Sequence, residues 1–391
     1  MRFGMHLATW RLLTTVFAVS WALAAALAID HAARTSFLLW LEHWSGDLRT
    51  AYFADRLPSQ HPGVAVIGIT DETLAAFPYR LPVDRGYLAR LVTTLADMKP
   101  RAIGIDLLAL RATEPEKDRA FVAAIASAPV PIAVAVADAR VSLSEAERTY
   151  QSEFLKASGA QPGFANLLVG NDQIVRYIAA PQPGNAYNQS LAAALTGVGP
   201  SPPNAPQRIA WLLKPNDNSD TFLTLPAHLV QPPALTGPSP TAAAFARLIK
   251  DRVVLIGGML PDVDRHLTPL PEWEGEEVPG VLLHAQAVAQ ILDGRDIRRL
   301  SREPLMWIYG GIALVGIWLG IRFGWVAYSA FGGTILLMIA AADIALFVWT
   351  RQFLPFGACA VALMAGLIGG VILRSTARLQ RLGRVARAAA E

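Results

Sequence analysis

The sequence predicts an α/β fold with a mixed, largely parallel sheet flanked by helices, carried on four transmembrane α-helices, one N-terminal and three C-terminal. Three observations predict it. Four apolar runs, at 12–29, 305–321, 325–349 and 354–373, approach or exceed the roughly 20 residues that cross a bilayer. Between the first and second, short β-branched apolar runs alternate with helical patterns, the signature of βαβ units and a parallel sheet. Charged residues make up only 17% of the chain, against about 25% in soluble domains.

The first apolar run, Leu12 to Ile29, follows Arg2 and Arg11. It exceeds the usual signal-peptide core, so it reads as an uncleaved anchor; Ala26-Leu27-Ala28 is the competing cleavage-site reading. VAVIGIT (64–70) is a buried strand. Leu88, Leu91, Val92 and Leu95 follow at helical spacing, with Asp84 as N-cap and Lys99-Pro100 as the stop. AIGIDLLAL (102–110), a helix over 117–127 and VPIAVAVA (130–137) continue the alternation. A polar-faced helix over 142–157 comes next. GFANLLVG and QIVRYIAA flank Asn171-Asp172 as a hairpin. A helix over 185–197, a Pro-rich loop to Gln207, a strand over 208–214, a second loop over 231–241, the strand RVVLIGG (252–258) and a helix over 281–294 complete the block. The organisation expected is therefore a first helix over 1–29, an outer domain over 30–304, three spans over 305–373 and an Arg-rich tail over 374–391.

Arg374, Arg378, Arg381, Arg384 and Arg387 follow the last span, and Arg2 and Arg11 precede the first. Positive charge stays inside, so both termini are expected in the cytoplasm and the large block outside, periplasmic in a Gram-negative cell, with the spans in the inner (plasma) membrane. Trp307, Trp318, Trp325 and Trp349 sit near the expected interfaces. Asp343 is the one acidic residue deep in a span; with no basic partner evident, it is expected to bond Ser329, Thr334 or backbone. The single cysteine, Cys359, excludes a disulfide within the chain and reads as a buried apolar side chain. A net charge of +3 gives no case for nucleic acid.

The outer block resembles a CHASE2 domain, an extracellular sensory module of bacterial receptors. The resemblance covers about residues 38–298. It is carried by FPYRLPVDRGYLARLV, PRAIGIDLLALRATEPEKD, GFANLLVGNDQIVRYIAA and VVLIGGMLPDVDRHLTPLPEWEGEEVPGVLLHAQAV in that order, and by one span before and three after. It implies a sensor placed ahead of an adenylate cyclase or kinase domain. No such signature follows Leu373, so the expected output is in trans, through a cytoplasmic or membrane signalling partner; the resemblance also allows a homodimer, which family receptors often form. A receptor fragment, a structural subunit of an envelope complex and an extracytoplasmic hydrolase are the alternatives.

Ligands of open α/β sheets bind beyond the carboxyl ends of the strands. Asp71, Arg80, Arg85, Asp106, Asp262, Asp264, His266 and Thr268 fall there and form the candidate site for a small-molecule or ion ligand. Structural roles compete: Asp71 in a short turn, Asp106 paired with Arg80 or Arg85, and His266 and Thr268 bonded to loop backbone. His284 reads as a satisfied core histidine, and Glu272, Glu274, Glu276 and Glu277 as a solvated acidic loop. No cofactor, resident metal or catalytic residue is assigned; a divalent cation on carboxylate oxygens is the alternative ligand. Neither GxSxG nor HExxH occurs, so the chain is not expected to be an enzyme.

Overall fold

The computed structural model describes residues 2–390 except 34, 198–205, 217, 236–241 and 271–276. The chain forms two compact units, Ala54–Ile297 and, together, Met1–Phe53 with Arg298–Glu391. The α/β unit is thus shorter at both ends than the 30–304 expected, because residues 36–53 pack with the apolar helices. The N-terminal part is helical in two pieces, α1 (Arg2–Ala32) and α2 (Ser36–Phe53). The sequence reading had no helix over 36–53.

The α/β unit is built from β1 (Val64–Ile69), α3 (Arg85–Asp97), β2 (Ala102–Asp106), α4 (Pro115–Ala126), β3 (Ile132–Val136), α5 (Glu145–Ser158) and β4 (Gln161–Phe164). It continues with β5 (Leu167–Val169), β6 (Val175–Ile178), α6 (Leu191–Thr196), β7 (Leu223–Pro226), β8 (Val253–Gly258) and α7 (Gly280–Leu292). Six strands form one sheet in the order β7-β1-β8-β2-β3-β4, and every pairing in it is parallel. Antiparallel pairing occurs in small sheets, such as the β5–β6 hairpin at Asn171-Asp172, and in isolated bridges.

Each central strand is apolar on both faces because each face is covered. With a side-chain period of two, Ala65, Ile67, Ile103, Ile105, Val254 and Ile256 join one core with Tyr87, Leu91 and Phe121 of the α3 and α4 side. Val64, Val66, Val253 and Leu255 join a second core with Leu191 and Leu195 of α6 and Val281, Ala285 and Val288 of α7. Small residues let α6 approach: a Cβ on Gly163 would lie 2.5 Å from Leu191 Cα. The apolar helix α7 buries Gln286 and Gln290, whose amides pair with the backbone of the segment beside it. Gln286 bonds Leu212 N and O at 2.9 and 3.0 Å, and Gln290 bonds Ala210 N and Arg208 O at 2.7 and 3.1 Å. These side chains replace a ladder, which is why the strand expected over 208–214 survives only as Gln207–Arg208 and Leu212–Leu213. The helix expected from residue 185 starts only at Leu191, where Ser190 caps it by accepting from Ala193 N at 3.2 Å.

The second unit adds β9 (Arg298–Arg299), α8 (Arg302–Arg322), α9 (Trp325–Thr350), β10 (Gln352–Phe353) and α10 (Phe356–Ala390). Among the described residues, four helices, including Leu12–Ala32 of α1, are long and apolar enough to cross a membrane. The last runs well past the expected residue 373. Packing of α8 on α10 uses small residues at four-residue spacing: Cβ atoms on Gly316 and Gly320 would lie 2.6 and 2.7 Å from the carbonyl oxygens of Leu363 and Leu367. Cys359 is buried and free, as expected.

Asp343 meets the expectation in its backbone bond and departs from it in its other partner. Ser329 and Thr334 bond carbonyls of their own helix, Trp325 O at 2.7 Å and Ala330 O at 3.1 Å. The Asp343 carboxylate accepts from backbone, Leu354 N at 2.8 Å, and also from Arg49 of α2. The basic partner lies on α2, in a stretch that the sequence reading places in the outer domain.

Candidate functional site at the strand ends

The carboxyl ends of β1, β8 and β2 lie side by side, with Gly258 opposite Ile69 and Gly257 opposite Asp106. The chain leaves each end with a polar loop, and the candidate residues separate there into an outer and an inner group.

The outer group centres on Arg80. Its Nη1 and Nη2 donate to the two carboxylate oxygens of Asp262, both at 2.7 Å, and its Nε donates to Asp71 Oδ1 at 2.9 Å. The fork matches a carboxylate, so the pairing is bidentate. Asp71 opens a short helix, Asp71–Leu74, that Thr70 caps. The Arg80 bond holds the Asp262 carboxyl below the usual carboxylate range, and Asp262 in turn holds the guanidinium proton more tightly than usual. These three side chains are exposed and satisfied by one another.

The inner group joins Asp106, Asp264, His266 and His284. Alternation along β2 sends Ile103 and Ile105 to one face and Asp106 to the other, toward α7. There His284 Nε2 lies 3.7 Å from Asp106 Oδ1. Asp106 is buried, its Oδ2 has no hydrogen-bond partner, and burial pushes its carboxyl above the usual range despite the nearby His284. Asp264 adopts φ 52° and accepts from His266 Nε2 at 2.9 Å. Burial works to raise the Asp264 carboxyl, but the His266 bond and the charges of His266 and His284 hold it low. Gly280 makes this seat possible: a Cβ there would lie 2.1 Å from Asp264 Oδ2, and its N–H donates to Asp264 O at 2.9 Å. Two carboxylates and two imidazoles therefore share one rim, where a cation or a hydrogen-bond donor would find acceptors. Among the described residues, no three His, Cys, Asp or Glu side chains stand in metal-binding geometry.

Two candidates lie elsewhere or serve the loop. Arg85 is buried and donates to Asp118 Oδ1 at 2.8 Å, to Arg111 O at 2.6 Å and to Tyr150 OH, so it does not pair with Asp106. Arg80 does not either, being engaged by Asp71 and Asp262. Thr268 accepts from Leu270 N at 3.4 Å within its own loop. Asp84 caps α3 by accepting from Tyr87 N at 2.8 Å, as its position suggested. Of the acidic run, Glu272, Glu274 and Glu276 lie outside the described residues.

Sequence reasoning gave His284 no role at the rim and passed over Asn166. Both line a cavity of about 10 Å3, room for about one water, and Asn166 Oδ1 is buried without a partner. The available signal was His284 itself, the one ionisable side chain of a largely apolar helix.

The CHASE2 domain family matches residues 18–324, a span that begins within α1 and ends after α8 and so includes α2. No curated protein and no solved structure matches the chain significantly. The chain belongs to the CHASE2 family.

Proposed function

We propose that this CHASE2 protein is a membrane-anchored sensor of bacterial signal transduction whose α/β unit faces the extracytoplasmic side and binds a small-molecule or ion ligand at the strand-end rim. The arginines flanking the first and last spans support cytoplasmic termini. The observation that carries the ligand reading is Asp106: a buried carboxylate with an unpartnered oxygen, beside His284 at the rim of three strands. Native proteins rarely keep such a group without a role. Its chemistry calls for a ligand that brings a positive charge or an N–H or O–H donor. Binding rather than catalysis is the role assigned, with the occupied state biasing the helices toward one arrangement that a signalling partner reads.

The test is thermal unfolding of the full chain in detergent against a panel of inorganic cations, amines and amino acids. A true ligand at 100 times its Kd should stabilise the chain by about 2.7 kcal/mol. That shift should disappear in D106N. Absence of any shift across the panel, or a shift that D106N leaves intact, would overturn the assignment of this rim.

A further inference from the structure

The helix α2 is built the wrong way round for water. Its covered side holds the polar groups: Ser45, Arg49 and Thr50 are buried, and Arg49 bonds Glu42 and Asp343. Its open side is apolar and aromatic. Phe37, Trp40, Trp44, Leu48 and Tyr52 recur every three or four residues and are 41–75% exposed. A helix at a water-facing surface shows the reverse arrangement, charges out and apolar groups in. An uncovered aromatic stripe of this kind needs an apolar partner.

The position of α2 identifies that partner. Leu41 packs on Gly357 in the first turn of α10, where a Cβ would lie 2.8 Å from Leu41 Cβ. Arg49 lies over the Phe353 ring at 4.9 Å, in the turn between α9 and α10. Asp343, its ion-pair partner, lies seven residues before the end of α9, about 10 Å along the axis at 1.5 Å per residue. So α2 packs at the level where two apolar helices end. It is not itself a span: Glu42, Asp47 and Arg49 fall within its 18 residues. Its open stripe belongs to the same unit as the exposed apolar faces of the spans, such as Leu23, Leu27, Val348 and Trp349. Tryptophan and tyrosine are enriched at that depth because their rings are apolar with a polar tip.

We infer that α2 is a fifth membrane element, an interfacial helix whose Phe37–Trp40–Trp44–Leu48–Tyr52 face contacts bilayer lipid, and that the Arg49–Asp343 pair pins its other face to the spans. This holds independently of any ligand at the strand ends. It also places lipid against the segment of chain that leads directly into the α/β unit at Ala54.

Spin labels test it on the full chain in phosphatidylethanolamine–phosphatidylglycerol vesicles. In a C359A background, single cysteines replace Trp40, Trp44 and Leu48 in turn, with Glu153 of the exposed α5 surface as the aqueous control. Molecular oxygen should relax the three α2 labels several-fold more than a water-soluble nickel chelate does, and the order should reverse at 153. Three separate positions guard against one variant that fails to fold. Nickel dominance on α2 would place the face in water and overturn the proposal. Low access to both reagents would mean that protein, such as a second copy, covers the face, and would overturn it equally.

Discussion

Asp106 carries more consequence than any other residue of the rim, and its register explains why. One position earlier or later on β2 it would face the α3 side, away from α7 and His284. Where it stands, burial raises its carboxyl above the usual range. In the unfolded chain an Asp titrates at about 3.9. For a carboxyl raised on folding, the folded state holds the proton more tightly. Its favourable contribution is therefore complete below about pH 4 and declines as pH rises through the folded value. At neutral pH the group opposes folding. D106N should accordingly stabilise the unliganded chain at pH 7, by about 1 kcal/mol, the scale of one buried unsatisfied group. Urea unfolding of the full chain in detergent measures it. Destabilisation by D106N would show that the carboxylate is a net structural asset and remove the argument for a ligand at the rim.

At the scale of elements, the pinned helix α2 gives the sharpest prediction. The Arg49–Asp343 pair is buried, with side chains 4% and 5% exposed. Removing one partner strands the other charge, which in buried pairs costs about 3–5 kcal/mol. R49M alone should thus lower the thermal midpoint and the yield of folded protein. Adding D343N should recover part of the loss, because Asn still accepts from Leu354 N–H and the Asp343 charge is gone, while Glu42 has still lost its bond from Arg49. An additive double variant would refute the pairing. The same helix shows where legibility in the sequence ended. The strands β1, β2, β3 and β8 were readable because both faces are buried, leaving uninterrupted runs such as VAVIGIT. The strand ends followed from them, and with them Asp71, Asp106, Asp262 and Asp264. By contrast α2 carries its polar residues inward, so its pattern does not mark it as a surface helix. Its partner lies 294 residues away, beyond any local pattern. The rim shows the same limit: the competing structural reading pairs Asp106 with Arg80 or Arg85, whereas the fold gives it His284 from α7 and gives Arg85 to Asp118 of α4.

The whole molecule joins two units held by different forces, and acid should separate them. In the α/β unit, Asp84 has its carboxyl lowered: burial opposes ionisation, but bonds from Lys117 and Tyr87 N–H outweigh it. Asp118 is lowered by the Thr113 hydroxyl and N–H and by Arg85, again against burial, and Asp172 is lowered by Arg176. These groups sit at the cap of α3, the start of α4 and the β5–β6 turn, so they tie the loops to the sheet. A carboxyl lowered on folding contributes its full stability above about pH 4 and loses it as pH falls through the folded value. Asp106 runs the other way but is one group against several. The close contact of α8 on α10 at Gly316 and Gly320 is packing and does not titrate. Hydrogen exchange read by mass spectrometry, corrected for the intrinsic rate at each pH, should therefore show peptides of α3, α4 and β5–β6 losing protection below about pH 4, the range of unfolded carboxylates, while α8 and α10 stay protected. If both units opened together at one pH, the loops' carboxylates would not be the acid-labile point, and the two units would have to be treated as one cooperative body.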